Sequence, residues 1–181
     1  MNEVVAARIQ KQATTSRVAI YVWLILAAVS LMIVAMIISA PLAALRGDAQ
    51  IASAIYSTFS YVCHQLPERS FHIAGHKFGV CSRCTGIYAG FAFSVLLYPL
   101  ARPLRSVEAP SRIWLILATL PLAIDFLLGY FNVWSNTHAS RFITGALFSS
   151  VTVFYILPGL VDVSSALVRR LTFSKGPEQL Q

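Results

Sequence analysis

Long apolar stretches dominate the hydrophobic pattern of this chain. Four of them carry at most one charge, and they cover residues 18–40, 84–101, 113–131 and 142–161. An α-helix rises about 1.5 Å per residue, so about 20 apolar residues cross a hydrocarbon core about 30 Å thick. The pattern therefore predicts an all-α fold, a bundle of four transmembrane helices, with a single charge, Asp125, inside the third.

The amino-acid composition is typical of a protein embedded in a lipid bilayer. Of the 181 residues, 57% are hydrophobic and 12% are charged, whereas soluble domains carry about 25% charged residues. The first apolar stretch is longer than the core of a cleavable signal peptide, so we expect it to be retained as a helix. The net charge of +7 lies mostly at helix ends rather than in a patch interleaved with aromatic residues, so no nucleic-acid partner is expected.

Basic residues predict the orientation. With four spans both termini lie on one side, and most of the basic residues fall there: Arg8, Lys11, Arg17, Arg102, Arg105, Arg112, Arg169, Arg170 and Lys175. The positive-inside rule then places both termini in the cytoplasm. We expect a multi-pass protein of a bacterial inner membrane, with cytoplasmic tails at 1–17 and 169–181 around one membrane domain at 18–168.

The connection between the first two spans is too long for a simple turn, and residues 47–84 within it form the predicted functional module. Apolar residues at Ile51, Ile55, Phe59 and Val62 follow a helical period. Such a helix can lie in the membrane interface or pack on the bundle, and the sequence leaves both open.

Cysteine and histidine cluster in this module. All three cysteines and three of the four histidines lie between Cys63 and Cys84. Cys81-x-x-Cys84 supplies two ligands, and Cys63 with a histidine completes a Cys3His set typical of structural zinc. A short hairpin of 71–73 and 78–80 around Ala74-Gly75 is predicted to bring Cys63 to Cys81.

The fourth ligand is open. His76, at the hairpin tip, is preferred over His64, because His64 adjoins Cys63 and neighbouring residues seldom reach one ion without strain. His72 ranks third.

The same cysteines allow redox chemistry. Cys81 and Cys84 lie where the second span begins, and a helix N-terminus stabilises a thiolate. The architecture is similar to that of membrane enzymes that pass electrons from thiols to quinone. Those enzymes have a second cysteine pair between their third and fourth helices, and residues 132–140 contain no cysteine.

Asp125 requires a partner, because a charge inside a membrane is costly. Arg141, at the start of the fourth span, is predicted to form an intramembrane ion pair with it. Small residues at Gly86 and Gly90, and at Gly145 and Ser149, are expected to let helices approach closely.

Several motifs carry a resemblance to a known family: Cys-His-Gln-x-Pro-Glu-Arg-Ser-Phe from Cys63, Gly-His-x-Phe-x-Val-Cys-x-Arg-Cys-Thr-Gly-Ile-Tyr from Gly75, the aspartate in the third span and Arg-Phe-x-Thr-Gly from Arg141. The chain resembles a bacterial family of small four-helix membrane proteins catalogued as a domain of unknown function. The resemblance covers about residues 57–157. It implies the fold and the importance of the module, and it implies no reaction.

The sequence favours a non-enzymatic accessory subunit of a larger membrane complex, with a zinc site at its extracytoplasmic end. A thiol to quinone oxidoreductase that uses Cys81 and Cys84 is the alternative. A metal-assisted hydrolase is less favoured, because three thiolates leave zinc electron-rich.

Overall fold

The structure, a computed structural model, describes the backbone of residues 2–173 and the side chains of residues 15–171. Its elements, in chain order, are helix α1 (Asn2–Leu45), helix α2 (Ala49–Ser60), a 3-10 turn (Pro67–Arg69), strands β1 (His72–Ile73) and β2 (His76–Lys77), and helices α3 (Ser82–Ala101), α4 (Ile113–Tyr130) and α5 (His138–Phe173). Four of these helices, α1, α3, α4 and α5, are long and apolar enough to cross a membrane. The all-α, four-span prediction is confirmed.

Two helices extend well beyond their predicted spans. The apolar part of α1 runs over Thr15–Leu45 and that of α5 over His138–Leu171, against predicted spans of 18–40 and 142–161. A charge-free window underestimates a helix, because backbone hydrogen bonds continue through polar residues past the hydrocarbon core. The predicted C-terminal tail is helical as far as Phe173, and its remainder, 174–181, lies outside the described residues.

Helices α3 and α5 pack at very short range. A Cβ atom added to Gly86 would overlap the Phe142 carbonyl, and one added to Gly90 would lie 2.6 Å from the Ala146 backbone. One added to Gly145 would lie 2.5 Å from the Arg83 carbonyl. The predicted role of these glycines is confirmed, since only hydrogen side chains leave room for this approach.

Two apolar clusters form the core. One joins α1, α3 and α5 through Ala27, Val95, Tyr98 and Leu157. The second lies at the other end of α1, where Ile37 packs with Ile55, Phe59, Cys63 and Val80. The second cluster fixes the module to the bundle through α1.

A hairpin is present around Ala74-Gly75, but its second strand is His76–Lys77 rather than the predicted 78–80, and its first strand is shortened to His72–Ile73. Ile73 pairs with His76, so the loop is Ala74-Gly75, and both residues have positive φ, +48° and +83°. This is the conformation of a two-residue hairpin turn with the twist that antiparallel strands prefer. The hairpin docks on α1, where the Gly79 amide donates to the Ile37 carbonyl at 3.0 Å.

Helix α2 packs on α1 with one face. Its buried residues are Ala52, Ile55 and Phe59, while Ile51 and Val62 of the predicted stripe are 56% and 63% exposed. The packed-helix alternative holds for the buried face, and the exposed apolar residues leave the other face suited to a membrane interface.

Candidate metal centre

The three cysteines meet at one end of the bundle. Cys63 follows the last turn of α2, Cys81 is the N-cap of α3, and Cys84 lies in its first turn. Their Sγ atoms all lie within 4.8 Å of one another, and all three cysteines are free thiols. The fold therefore brings together the predicted cysteines from two segments, one after α2 and one at the start of α3.

The backbone around Cys63 is shaped to hold a thiolate. The amides of Gln65 and Cys81 donate to Cys63 Sγ at 3.4 Å and 3.2 Å. Gln65 has a φ of +50°, in the left-handed region that non-glycine residues rarely adopt. Amide donors to a ligating atom fix its orientation and stabilise its negative charge.

The sulfur atoms interact electrostatically. Hydrogen bonding from the Cys63 and Cys84 thiols lowers the pKa of the Cys81 thiol well below its ordinary value, against the opposing effect of burial. Thiolates are the form that binds metals and acts as a nucleophile. This shift favours the thiolate form of Cys81.

The histidines stand apart from the sulfur cluster. Among the described residues, which include all four histidines, the group that can share one ion contains the three cysteines alone. His64 is exposed, and His76 lies in β2 directly after the hairpin turn. The structure leaves His76 and His64 outside the sulfur group, although His64 lines the cavity beside it, so a histidine as fourth ligand stays a prediction.

A polar network that the sequence analysis did not predict adjoins the sulfur cluster through Gln65. Lys77 donates to the Gln65 carbonyl at 2.8 Å, and the Gln65 side chain donates to the Tyr56 carbonyl at 2.7 Å. Tyr56 closes the ring by donating to the Lys77 carbonyl at 2.5 Å, and burial raises the pKa of its hydroxyl. In the sequence, the position of Gln65 two residues after Cys63 was the feature that could have indicated this network.

Asp125 pairs with Arg83, not with Arg141. The Arg83 guanidinium donates to the Asp125 carboxylate, and it also lies over the Phe126 ring, 5.5 Å from the centroid. Arg141 interacts electrostatically with Asp125, but within residues 15–171 the ion pair of Asp125 is with Arg83. The sequence argument paired neighbours along the chain, whereas α3 brings its first turn against α4 across 42 positions.

Two residues of the loop before α5 complete this polar layer. Asn136 donates its side-chain amide to the Asp125 carbonyl, and His138 Nδ1 lies 2.7 Å from Ser82 Oγ. Together these contacts join the start of α3, the start of α5 and the end of α4.

A cavity of about 330 Å³ adjoins the cluster. All three cysteines line it, together with three arginines, Arg69, Arg83 and Arg141. Its other lining residues are Val62, His64, Gln65, Leu66 and Phe126. The sulfur atoms therefore have protein on one side and an accessible space on the other.

The donor set fits a soft, tetrahedral metal ion. Zinc binds thiolate at about 2.3 Å, so tetrahedral geometry puts two sulfur ligands about 3.8 Å apart. The observed spacing, with all three pairs within 4.8 Å, is close to this value. Three cysteines leave a fourth position, and the cavity is the open side of the cluster.

Comparison with known proteins gives the family of the chain. Residues 63–155 match the sequence profile of a family described as Predicted membrane protein (DUF2085). An uncharacterized protein of Methanocaldococcus jannaschii is 40% identical over 108 residues, which are 60% of this chain and 69% of the relative. An uncharacterized protein of Methanothermobacter thermautotrophicus is 41% identical over 87 residues, or 48% and 77% of the two chains. No solved structure matches.

Both relatives are archaeal, so they do not support the expected bacterial source. The matched range begins at Cys63 and includes the other two cysteines and the Arg83–Asp125 pair. It covers half of the chain, with the second and third candidate spans complete and the first half of the fourth. The chain belongs to the DUF2085 family of predicted membrane proteins.

Proposed function

We propose that this protein is a zinc-binding integral membrane protein whose ion is held by Cys63, Cys81 and Cys84. The observation that carries the proposal is the mutual approach of three sulfur atoms to within 4.8 Å. Buried structural cysteines are seldom clustered, whereas metal ligands must be.

The surroundings of the sulfur atoms support a metal over a simple thiol cluster. Two backbone amides donate to Cys63 Sγ, an arrangement that favours a thiolate. Arginines at 83 and 141 add positive charge nearby, which stabilises the net negative charge of a zinc ion with three thiolates. The fourth ligand on this proposal comes from the cavity side, which His64 also lines.

The predicted role as an accessory subunit remains part of this proposal. The small-residue faces that would serve assembly are used inside the molecule, between α3 and α5. Helix α4 has no buried residue along its length, so one of its sides is available to lipid or to a partner helix. An accessory role therefore points to α4 rather than to the glycine pairs.

The experiment is a metal analysis of the full chain, purified in neutral detergent without chelator or reductant. We expect about one zinc per chain, and Cys63→Ser, Cys81→Ser and Cys84→Ser should each lose most of it. His76→Ala is the matched control and should keep the metal, because His76 neither belongs to the sulfur group nor lines the cavity.

Thiol labelling separates this proposal from the redox alternative. With zinc bound, all three cysteines should resist alkylation until a strong chelator is added. A protein without metal, in which Cys63 reacts at once and Cys81 and Cys84 react only after reduction, would contradict the zinc site. It would instead favour a thiol to quinone oxidoreductase.

A further inference from the structure

Three arginines converge on the cavity beside the cysteines. Arg69 comes from the 3-10 turn, Arg83 from the first turn of α3 and Arg141 from the first turn of α5. Arg141 interacts electrostatically with both of the others. Like charges repel at short range, so negative charge in the shared space stabilises this gathering. The Cys81 sulfur offsets part of the charge of Arg141, and a bound anion would offset more.

The carboxylates nearby do not balance this charge. Asp125 is engaged with Arg83. Glu68 lies 3.9 Å from Arg69, and both side chains are largely exposed, 65% and 53%, so that pair is weak. Arg141 has no carboxylate within ion-pair distance among the described residues.

Hydrogen-bond donors are also unused on this side of the protein. The Nε atoms of Arg83 and Arg141 are buried, and neither donates to any atom of the described residues. A buried donor without an acceptor costs about 1–3 kcal/mol. Both arginines line the cavity with other atoms, so part of the hydrogen-bonding capacity of this arginine cluster is unused by the described residues.

We infer that this cavity binds an oxyanion of the phosphate class, held by Arg69, Arg83 and Arg141. Guanidinium groups bind phosphate oxygens with paired, charge-assisted hydrogen bonds. A cavity of about 330 Å³ lies at the small end of the range for ligand pockets, which suits a phosphate with a modest substituent.

The apolar rim of the cavity is compatible with two kinds of phosphate ligand. Val62, Leu66 and Phe126 line it and are 63%, 38% and 51% exposed. An apolar rim at the end of a transmembrane bundle accommodates the ester part of a phospholipid headgroup as well as a free phosphate ester. A phosphate group is common to both ligands. The experiment below tests the free phosphate and the phospholipid separately.

The inferred oxyanion site adjoins the proposed zinc site, and only the contact between the two sites depends on that proposal. The cysteines line the same cavity, so a bound oxyanion lies next to the fourth coordination position if the metal is present. That contact rests on the proposed function, whereas the arginine cluster stands without it.

The test is a calorimetric titration of the full chain in neutral detergent with inorganic phosphate, at an ionic strength held constant with chloride. We expect saturable binding that is weakened about tenfold or more in Arg141→Gln and in Arg69→Gln, because each loses charge-assisted hydrogen bonds. Arg69 is half exposed, so its variant should fold normally. Arg46→Gln, an exposed arginine outside the cavity, is the matched control and should bind as the wild type does.

A second titration replaces phosphate with a short-chain anionic phospholipid, phosphatidylglycerol, and uses phosphatidylcholine as the uncharged comparison. Saturable binding of either phosphate or phosphatidylglycerol, sensitive to the Arg69 and Arg141 changes, supports the inference and identifies the source. Absence of saturable binding in both arms, or binding that these changes leave unaltered, overturns it. Zinc is measured on the same samples, so phosphate binding without metal would reject the proposed function alone.

Discussion

The arginine within Cys81-x-x-Cys84 is the residue that changes the interpretation of this site most. In the sequence, Arg83 is a basic residue in a predicted loop, between two cysteines that are predicted metal ligands. In the structure Arg83 donates to Asp125 and lines the cavity. It therefore couples the sulfur cluster to the charge inside the third span.

A double-mutant cycle tests this pairing. Arg83→Gln should destabilise the protein by about 3 kcal/mol, because it leaves the Asp125 carboxylate unpaired in a largely buried position. Asp125→Asn should cost a similar amount, and the double variant should cost clearly less than the sum. Thermal unfolding in detergent measures each variant.

The matched cycle uses Arg141→Gln with Asp125→Asn. Since Arg141 makes no ion pair with Asp125 among the described residues, these two changes should be closer to additive than the Arg83 pair. A larger coupling for Arg141 than for Arg83 would support the sequence-based pairing instead.

At the scale of elements, the contact between α3 and α5 positions the site. The first turn of α3 carries Cys84 and Arg83, and the first turn of α5 carries Arg141. Close approach at Gly86 and Gly145 holds these two turns together. Any change that separates the helices should therefore disturb the cavity as well as the stability.

Gly86→Ala tests this contact. Its new methyl group would overlap the Phe142 backbone, which cannot move without shifting α5, so we expect a loss of about 3 kcal/mol or more. Gly159→Ala is the control, because a Cβ there meets no atom within 4 Å. Unfolding temperatures in detergent compare the two, and equal values would show that α3 and α5 do not pack as described.

At the scale of the whole molecule, the site lies at the end of the bundle where α1 ends and α5 begins. Helices α3 and α5 begin there and α4 ends there. The compartment follows from the orientation, which rests on the basic residues at the other end. An extracytoplasmic site would face an oxidising environment, where thiols persist best when bound to metal.

A topology reporter tests the orientation. A reporter that is active only outside the cytoplasm should work when fused after Ala74 and fail when fused after Gln181, because basic residues favour the cytoplasmic ends of spans. Equal expression of the two fusions is the control. The reverse pattern would place the cysteines in a reducing compartment, where zinc is favoured further over a disulfide.

The sequence by itself determined the class of fold and the clustering of the cysteines. Four spans follow from apolar length alone, because a bilayer imposes that length on every crossing helix. The cysteine set follows from its clustering, and the glycine pairs follow from their helical spacing. These properties are local or compositional, so they can be read without knowing which helices are neighbours.

Tertiary structure decided the partners. It left His76 and His64 outside the sulfur group. It paired Asp125 with Arg83 rather than with Arg141, and it brought three arginines to one cavity. The ion pair and the arginine cluster depend on distances between residues far apart in sequence, which helix packing sets and no local pattern encodes.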